Sequence, residues 1–248
     1  MACKGTVCAM LGLPEGITAC LFDLDGVLTQ TAKVHAAAWK QMFDEYLRDH
    51  GGGTFDAAAD YDEYVDGKPR YDGVRSFLAS RGVHPPEEEI RALGDRKNER
   101  VLRLIAERGV EPYEGSVRYV QAAREAGLRR AVVSSSTNAT AVLEAAGIAG
   151  LFEDVVDGTV VEREGLKGKP APDTFLAGAR LLGVEPSQAA VFEDALAGVE
   201  AGRAGRFGLV VGVDRVGQAS ALREHGADVV VGDLAELLGG GTAAGSGR

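Results

Sequence analysis

The sequence predicts an α/β fold: a doubly wound, mainly parallel sheet forming a Rossmann-like core, with an all-helical cap inserted after the first strand. Three observations carry that prediction. Short apolar runs of strand length alternate with helical patterns, which calls for right-handed crossovers and parallel pairing. Several helical patterns stop at a glycine: Gly127 after Ala126, Gly147 after Ala146, Gly183 after Leu182. One long stretch, residues 32–109, breaks the alternation and holds no strand-like run.

In chain order, residues 17–24 (Ile-Thr-Ala-Cys-Leu-Phe-Asp-Leu) form an apolar run that ends in acid before Gly26, as a buried strand does when its carboxyl end faces a crevice. Similar runs lie at 131–134, 190–194, 209–213 and 228–231, with a shorter candidate at 155–156. Helices are expected at 116–126, 137–146, 173–182, 196–204 and 219–225. Within the insert, amphipathic patterns run over 32–48, 71–80 and 86–107, the first two parted by Gly51-Gly52-Gly53. The expected organisation is an N-terminal extension (1–16), a core from 17–31 and 110–238, a cap from 32–109, and a flexible Gly-rich tail (239–248). Residues 29–31 and 109–114 would be the two hinges.

The bulk numbers fit one large domain or a core with an insert. There are 248 residues, 45% hydrophobic and 26% charged, so bulk disorder is excluded. The 34 glycines are roughly twice the usual share. A net charge of −10 repels nucleic acid and anionic lipid, so neither is expected as a partner. Cys3, Cys8 and Cys20 have no disulfide or zinc spacing, which suggests a reducing compartment. With no signal peptide and no run of 18 apolar residues, a cytoplasmic, monomeric protein is expected.

Ligands of open α/β sheets bind beyond the carboxyl ends of the strands. Four such ends are polar here. Asp23 and Asp25 flank Leu24 ahead of Gly26. Val133-Ser134-Ser135-Ser136-Thr137-Asn138 offers hydroxyls and N–H groups at a helix start, which suits a phosphate. Lys169-Pro170-Ala171-Pro172-Asp173 sets a cation on a rigid loop, and Phe192-Glu193-Asp194 adds two acids. Taken singly these read as a turn acid, an N-cap, a loop lysine and a helix cap. Together they place four acids in one crevice, which a divalent cation with oxygen ligands resolves; Mg²⁺ suits it. A carboxylate nucleophile beside Mg²⁺, Lys and Ser is the equipment for phosphoryl transfer through aspartate.

From residue 17 to 238 this set resembles the haloacid dehalogenase-like superfamily of phosphotransferases, and within it the β-phosphoglucomutase branch. The resemblance implies that Asp23 is the nucleophile and Asp25 the general acid/base. It implies that Ser134 and Lys169 hold the transferring phosphoryl oxygens, and that Asp23, Asp25, Glu193 and Asp194 make the metal site. Thr31, His35 and Trp39 recur every fourth residue and share one helix face. Mutases of the branch carry the same types there, with His35 assisting Asp25. Val65-Asp66-Gly67-Lys68-Pro69-Arg70 resembles the specificity loop, with Arg70 as the clamp for a non-transferring phosphate. Arg96-Lys97-Asn98 resembles a substrate-facing cap motif. Trp39, Gly67, Arg70 and Lys97 of the cap, with Thr31 at the hinge and Ser135, Ser136 and Asn138 of the core, are the implied substrate contacts.

The chain departs from the branch at Gln30, where an acid is common, at Ser135 and at Ala195. The expectation is an Mg²⁺-dependent phosphomutase interconverting β-glucose 1-phosphate, or a similar β-hexose 1-phosphate, and the 6-phosphate. A phosphatase of a small phosphorylated sugar on the same scaffold is the alternative. A signalling receiver would be about half this length with no large cap, and no P-loop or dinucleotide fingerprint is present.

Overall fold

The computed structural model describes residues 9–239. Six strands, β1 (Ala19–Phe22), β2 (Arg129–Val133), β3 (Asp154–Val156), β4 (Ala189–Glu193), β5 (Leu209–Val213) and β6 (Val229–Val231), form one sheet in the order β3-β2-β1-β4-β5-β6. All five pairings are parallel. The helices are α1 (Ala32–His50), α2 (Arg70–Ser80), α3 (Glu87–Arg108), α4 (Glu114–Glu125), α5 (Ala139–Ala145), α6 (Gly158–Glu164), α7 (Asp173–Leu181), α8 (Leu196–Ala204) and α9 (Ala219–Glu224).

The strands are apolar on both faces because both faces are covered. In β1, Cys20 and Phe22 pack toward Val120 of α4 and Val142 of α5. Ala19 and Leu21 pack toward Phe175 of α7, Val199 of α8 and Leu222 of α9. The period of two along the strand thus assigns alternate residues to two separate cores. The chain travels outward from β1 through β2 to β3, then crosses to β4 and continues to β6. The order therefore reverses between β1 and β4, and their carboxyl ends flank the crevice where such sheets bind ligands.

The helices α1, α2 and α3 pack on one another around their own apolar cluster, which includes Trp39, Phe43, Phe55, Phe77 and Leu93. Phe43 lies at its centre, with ring centroids 5.2 Å from Trp39, 5.2 Å from Phe55 and 4.3 Å from Phe77. The chain enters and leaves this bundle along neighbouring paths. Gln30 N donates to Glu111 O at 2.9 Å and Tyr113 N to Leu28 O at 2.9 Å.

Several short elements were not expected, among them one helix and one π-helical turn. The helix α6 is seven residues long, capped by Asp157, whose Oδ1 accepts from Thr159 N and Val160 N at 3.0 Å each, and stopped by Gly165 in the left-handed region. A π-helical turn, Tyr61–Val65, fills the loop before Asp66. The first strand is shorter than expected, ending at Phe22, yet Asp23 N still donates to Phe192 O at 2.9 Å. Leu11 and Leu13, placed in the expected extension, are buried in the core beside α4. Cys20 is buried and free; Cys3 and Cys8, and the expected tail from residue 240 on, lie outside the described residues. Among the described residues no helix is long and apolar enough to cross a membrane.

Candidate active site

The carboxyl ends of β1, β2 and β4 and the loop before α7 converge on one ammonium group. Lys169 Nζ donates to Asp23 Oδ1 at 2.5 Å, to Glu193 Oε1 at 2.6 Å and to Val133 O at 3.1 Å. Its side chain is fully buried and passes over the Phe175 ring at 4.8 Å. Burial works against this charge, but the carboxylates of Asp23 and Glu193 hold it well above the ordinary lysine range.

The acids around it are held tightly. Glu193 has both oxygens engaged, Oε1 by Lys169 and Oε2 by Ala195 N at 2.9 Å. Gly26 is what lets the β1 loop approach Asp194: its φ is +86°, and a Cβ there would lie 1.7 Å from Asp194 Oδ2. One oxygen each from Asp23, Glu193 and Asp194 lies within 4.8 Å of the others, a spacing that a single cation can span. Burial pushes all three carboxyls upward, Glu193 to about 7; Lys169 opposes the rise at Asp23 and Glu193, and neighbouring acids add to it, Asp25 at Asp23, Asp23 at Glu193 and Asp66 at Asp194. Hard oxygen donors, crowded and short of positive charge, suit a divalent cation.

Asp25 lies across the β1 turn. Thr31 Oγ1 donates to its Oδ1, and Thr29 and Thr31 share a hydroxyl contact at 2.8 Å. Burial raises its carboxyl, against Thr31, Lys97 and Lys169. His35 Nε2 stands 3.6 Å from Asp25 Oδ1, and its Nδ1 meets Lys97 Nζ at 2.9 Å. Burial, then Lys97 and Arg70, drive the imidazole well below its usual range, so it is neutral. A Lys97 ammonium would donate to Nδ1 and turn the Nε2 proton toward Asp25, where Nε2 is buried without a hydrogen-bond partner. Lys97 also lies 4.7 Å above the Trp39 ring, and burial lowers it to about 7.

At the far end, Arg70 begins α2 and reaches the core. Its Nη2 donates to Thr137 Oγ1 at 2.5 Å and to Asn98 Oδ1 at 2.9 Å, and Asn138 Nδ2 donates to the same Asn98 oxygen at 2.7 Å. Ser135 Oγ donates to Gly67 O at 2.8 Å, tying the cap loop down. Ser134 Oγ accepts from Ser136 N at 3.1 Å, and Ser136 Oγ from Asn138 N at 3.2 Å.

One cavity is lined by Asp23, Asp25, Ser134, Ser135, Ser136 and Asp194 from the core, and by His35, Trp39, Gly67, Arg70 and Lys97 from the cap. Thr31, Lys169 and Glu193 support it from behind, and Asn138 reaches it through Asn98. Asp66, Lys68 and Asn98 also line it; sequence reasoning quoted them within their motifs without a role of their own, and it gave Tyr61, another lining residue, no part in the site. The signal was available for Asp66, the one acid within the loop quoted for Gly67 and Arg70.

A sequence profile of the haloacid dehalogenase-like hydrolases matches residues 17–206. The chain belongs to that family. Among its relatives, the β-phosphoglucomutase of Mycobacterium bovis is 53% identical over 247 residues, covering 92% of this chain and 94% of that protein. A solved β-phosphoglucomutase from Clostridium difficile superposes with a TM-score of 0.74 at 28% identity, over 89% of this chain and 93% of the other. CbbY from Rhodobacter sphaeroides, crystallised with xylulose 1,5-bisphosphate, gives 0.72 at 25%, over 89% and 96%. In this haloacid dehalogenase-like chain the acid pair, the hydroxyl loop, the lysine and the second acid pair meet at the switch point of the sheet.

Proposed function

We propose that this enzyme is a phosphomutase that interconverts β-glucose 1-phosphate, or a similar β-hexose 1-phosphate, and the corresponding 6-phosphate. The observation that carries the reading is a single cavity with an anion-binding group at each end: Ser134 beside Asp23, backed by Lys169, and Arg70 on the cap. Such a cavity fits a substrate with two phosphates or one that exchanges its phosphate between ends. The 53% identity to a β-phosphoglucomutase supports it.

In the first half-reaction, phosphorylated Asp23 gives its phosphoryl group to the sugar 6-hydroxyl. The bond from phosphorus to the Asp23 oxygen breaks, the bond to O6 forms, and Asp25 takes the hydroxyl proton. The 1,6-bisphosphate then reverses in the cavity, with Arg70 holding the phosphate that does not react. Asp23 attacks the 1-phosphate, and Asp25 returns its proton to O1 as that bond breaks. Thr31 and the neutral His35 orient Asp25 for both transfers, Lys97 fixing the imidazole tautomer. Lys169 offsets charge on the transferring oxygens and opposes the rise that burial imposes on the Asp23 carboxyl. Asp23, the Asp25 main chain and Asp194, with Glu193 behind them, would hold Mg²⁺, which supplies charge neutralisation on the phosphoryl group when bound. Cap residues exclude water, which would otherwise hydrolyse phospho-Asp23.

The net charge argues against nucleic acid as a partner, and we place the enzyme in the cytoplasm as a monomer. Supplying β-glucose 1-phosphate with Mg²⁺ and a trace of the 1,6-bisphosphate should yield glucose 6-phosphate. Release of inorganic phosphate alone would make the protein a sugar phosphatase instead.

A further inference from the structure

Asp66 is the one cap acid among the described residues that line the cavity. Its position is fixed by the backbone on either side. Asp66 N donates to Tyr61 O at 2.9 Å, closing the π-helical turn. The next residue, Gly67, accepts from Ser135 and sits so close to the core that a Cβ on it would lie 3.1 Å from Ala195 Cβ. Asp66 is thereby brought over the Asp194–Ala195 corner. Burial, then the charges of Glu193 and Asp23, push its carboxyl up to about 8, and after burial its own charge is the largest influence raising Asp194.

No cation among the described residues lies within ion-pair distance of Asp66. Lys68, on the same loop, turns away and donates to Glu63 O and Ser76 Oγ at 3.1 Å each. Lys169 is committed to Asp23 and Glu193. With the cap down, Asp66 and Asp194 line one cavity, and neither is paired with a cation among the described residues. Like charges in such a partly dry cleft repel strongly, and a divalent cation reverses the sign of the interaction.

We propose that Asp66 is a positioning residue of the cation site, contributed by the cap, so that cap closure and Mg²⁺ binding strengthen each other. The inference rests on reading the core acids as an Mg²⁺ site. Linkage makes the coupling reciprocal: the factor by which the cation favours closure equals the factor by which closure favours the cation. Asp66 touches no reacting atom in this account and acts through the cation.

The test uses the whole chain without sugar. Mg²⁺ affinity is measured by calorimetry, and compactness by small-angle X-ray scattering with and without Mg²⁺, for the native chain, Asp66→Asn, Asp66→Ala and Asp62→Asn. Asp62 lies on the same turn but does not line the cavity. Both Asp66 variants should bind Mg²⁺ roughly tenfold more weakly, and Asp62→Asn should stay near the native affinity. Mg²⁺ should compact the native protein, while the Asp66 variants should be compact already and respond little. Equal Mg²⁺ affinity in native and Asp66 variants, or equal compaction, overturns the proposal. A native chain that binds no Mg²⁺ overturns both it and the metal reading. If the coupling appears but no isomerisation does, the mutase reading fails and this inference stands.

Discussion

Lys169 is a buried ammonium whose partners, Asp23 and Glu193, are both buried carboxylates. Removing one member of such a set strands the others without compensation, at a cost of about 3–5 kcal/mol. Lys169→Met should therefore lose both activity and stability, seen as a lowered urea midpoint. Asp23→Asn differs, because it keeps shape and one hydrogen-bond acceptor. Its turnover should vanish while its unfolding midpoint moves little, which separates chemistry from scaffolding. Cys20 offers a simpler check. Burial pushes its thiol up to about 12, against Arg130, so it carries no thiolate at neutral pH. Native protein should leave Cys20 unalkylated by iodoacetamide, and denatured protein should react at once; mass spectrometry reads both. At this scale the sequence disclosed the residues that follow strands, since a strand end has only one crevice to face. Asp66 and Asn98 were quoted within their motifs but given no role of their own, because side chains on a cap loop and a cap helix aim according to how the cap docks, and no local period encodes that.

At the level of elements, the alternation of apolar runs and glycine-stopped helices was enough to place all six strands and most helices. The omission of α6 has a physical reason: seven residues with only Gly158 buried give no amphipathic stripe to read. Its Asp157 cap and Gly165 stop were visible, however, and form a complete pair of helix signals. Asp157→Ala should lower stability by about 1 kcal/mol, measured by urea unfolding, with little effect on turnover. The cap helices depend on a different device, the cluster of rings around Phe43. Phe43→Ala should cost about 3–5 kcal/mol. Because Trp39 stacks on Phe43 and also lines the cavity, this variant should lose mutase activity before the core sheet melts. Tryptophan fluorescence, with Trp39 the single tryptophan, should change ahead of the far-ultraviolet signal on heating.

For the molecule as a whole, a net charge of −10 would repel an anionic substrate, and the site answers it locally with Lys169, Arg70 and Lys97. Arg70 holds cap to core through Thr137, so a phosphate arriving at that end competes for a guanidinium already aimed across the seam. Arg70→Ala should reduce kcat/KM for β-glucose 1-phosphate by at least about a hundredfold, the range for loss of a charged hydrogen-bonding partner. Hydrolysis of a small aryl phosphate, which needs only the Asp23 end, should fall far less. Equal losses on both substrates would reassign Arg70 to structure. What the sequence could not convey at this scale is the seam itself: which cap residues meet which core residues depends on the docking of two separately packed cores.

The central claim is that Asp23 carries the phosphoryl group covalently between turnovers. The most direct measurement is rapid acid quenching after mixing with β-glucose 1,6-bisphosphate labelled with radioactive phosphorus in both positions, followed by peptide mapping. Label should appear on the peptide containing Asp23 within a turnover and be missing in Asp23→Asn. Full isomerase turnover with no labelled peptide, or with label on another residue, would contradict it.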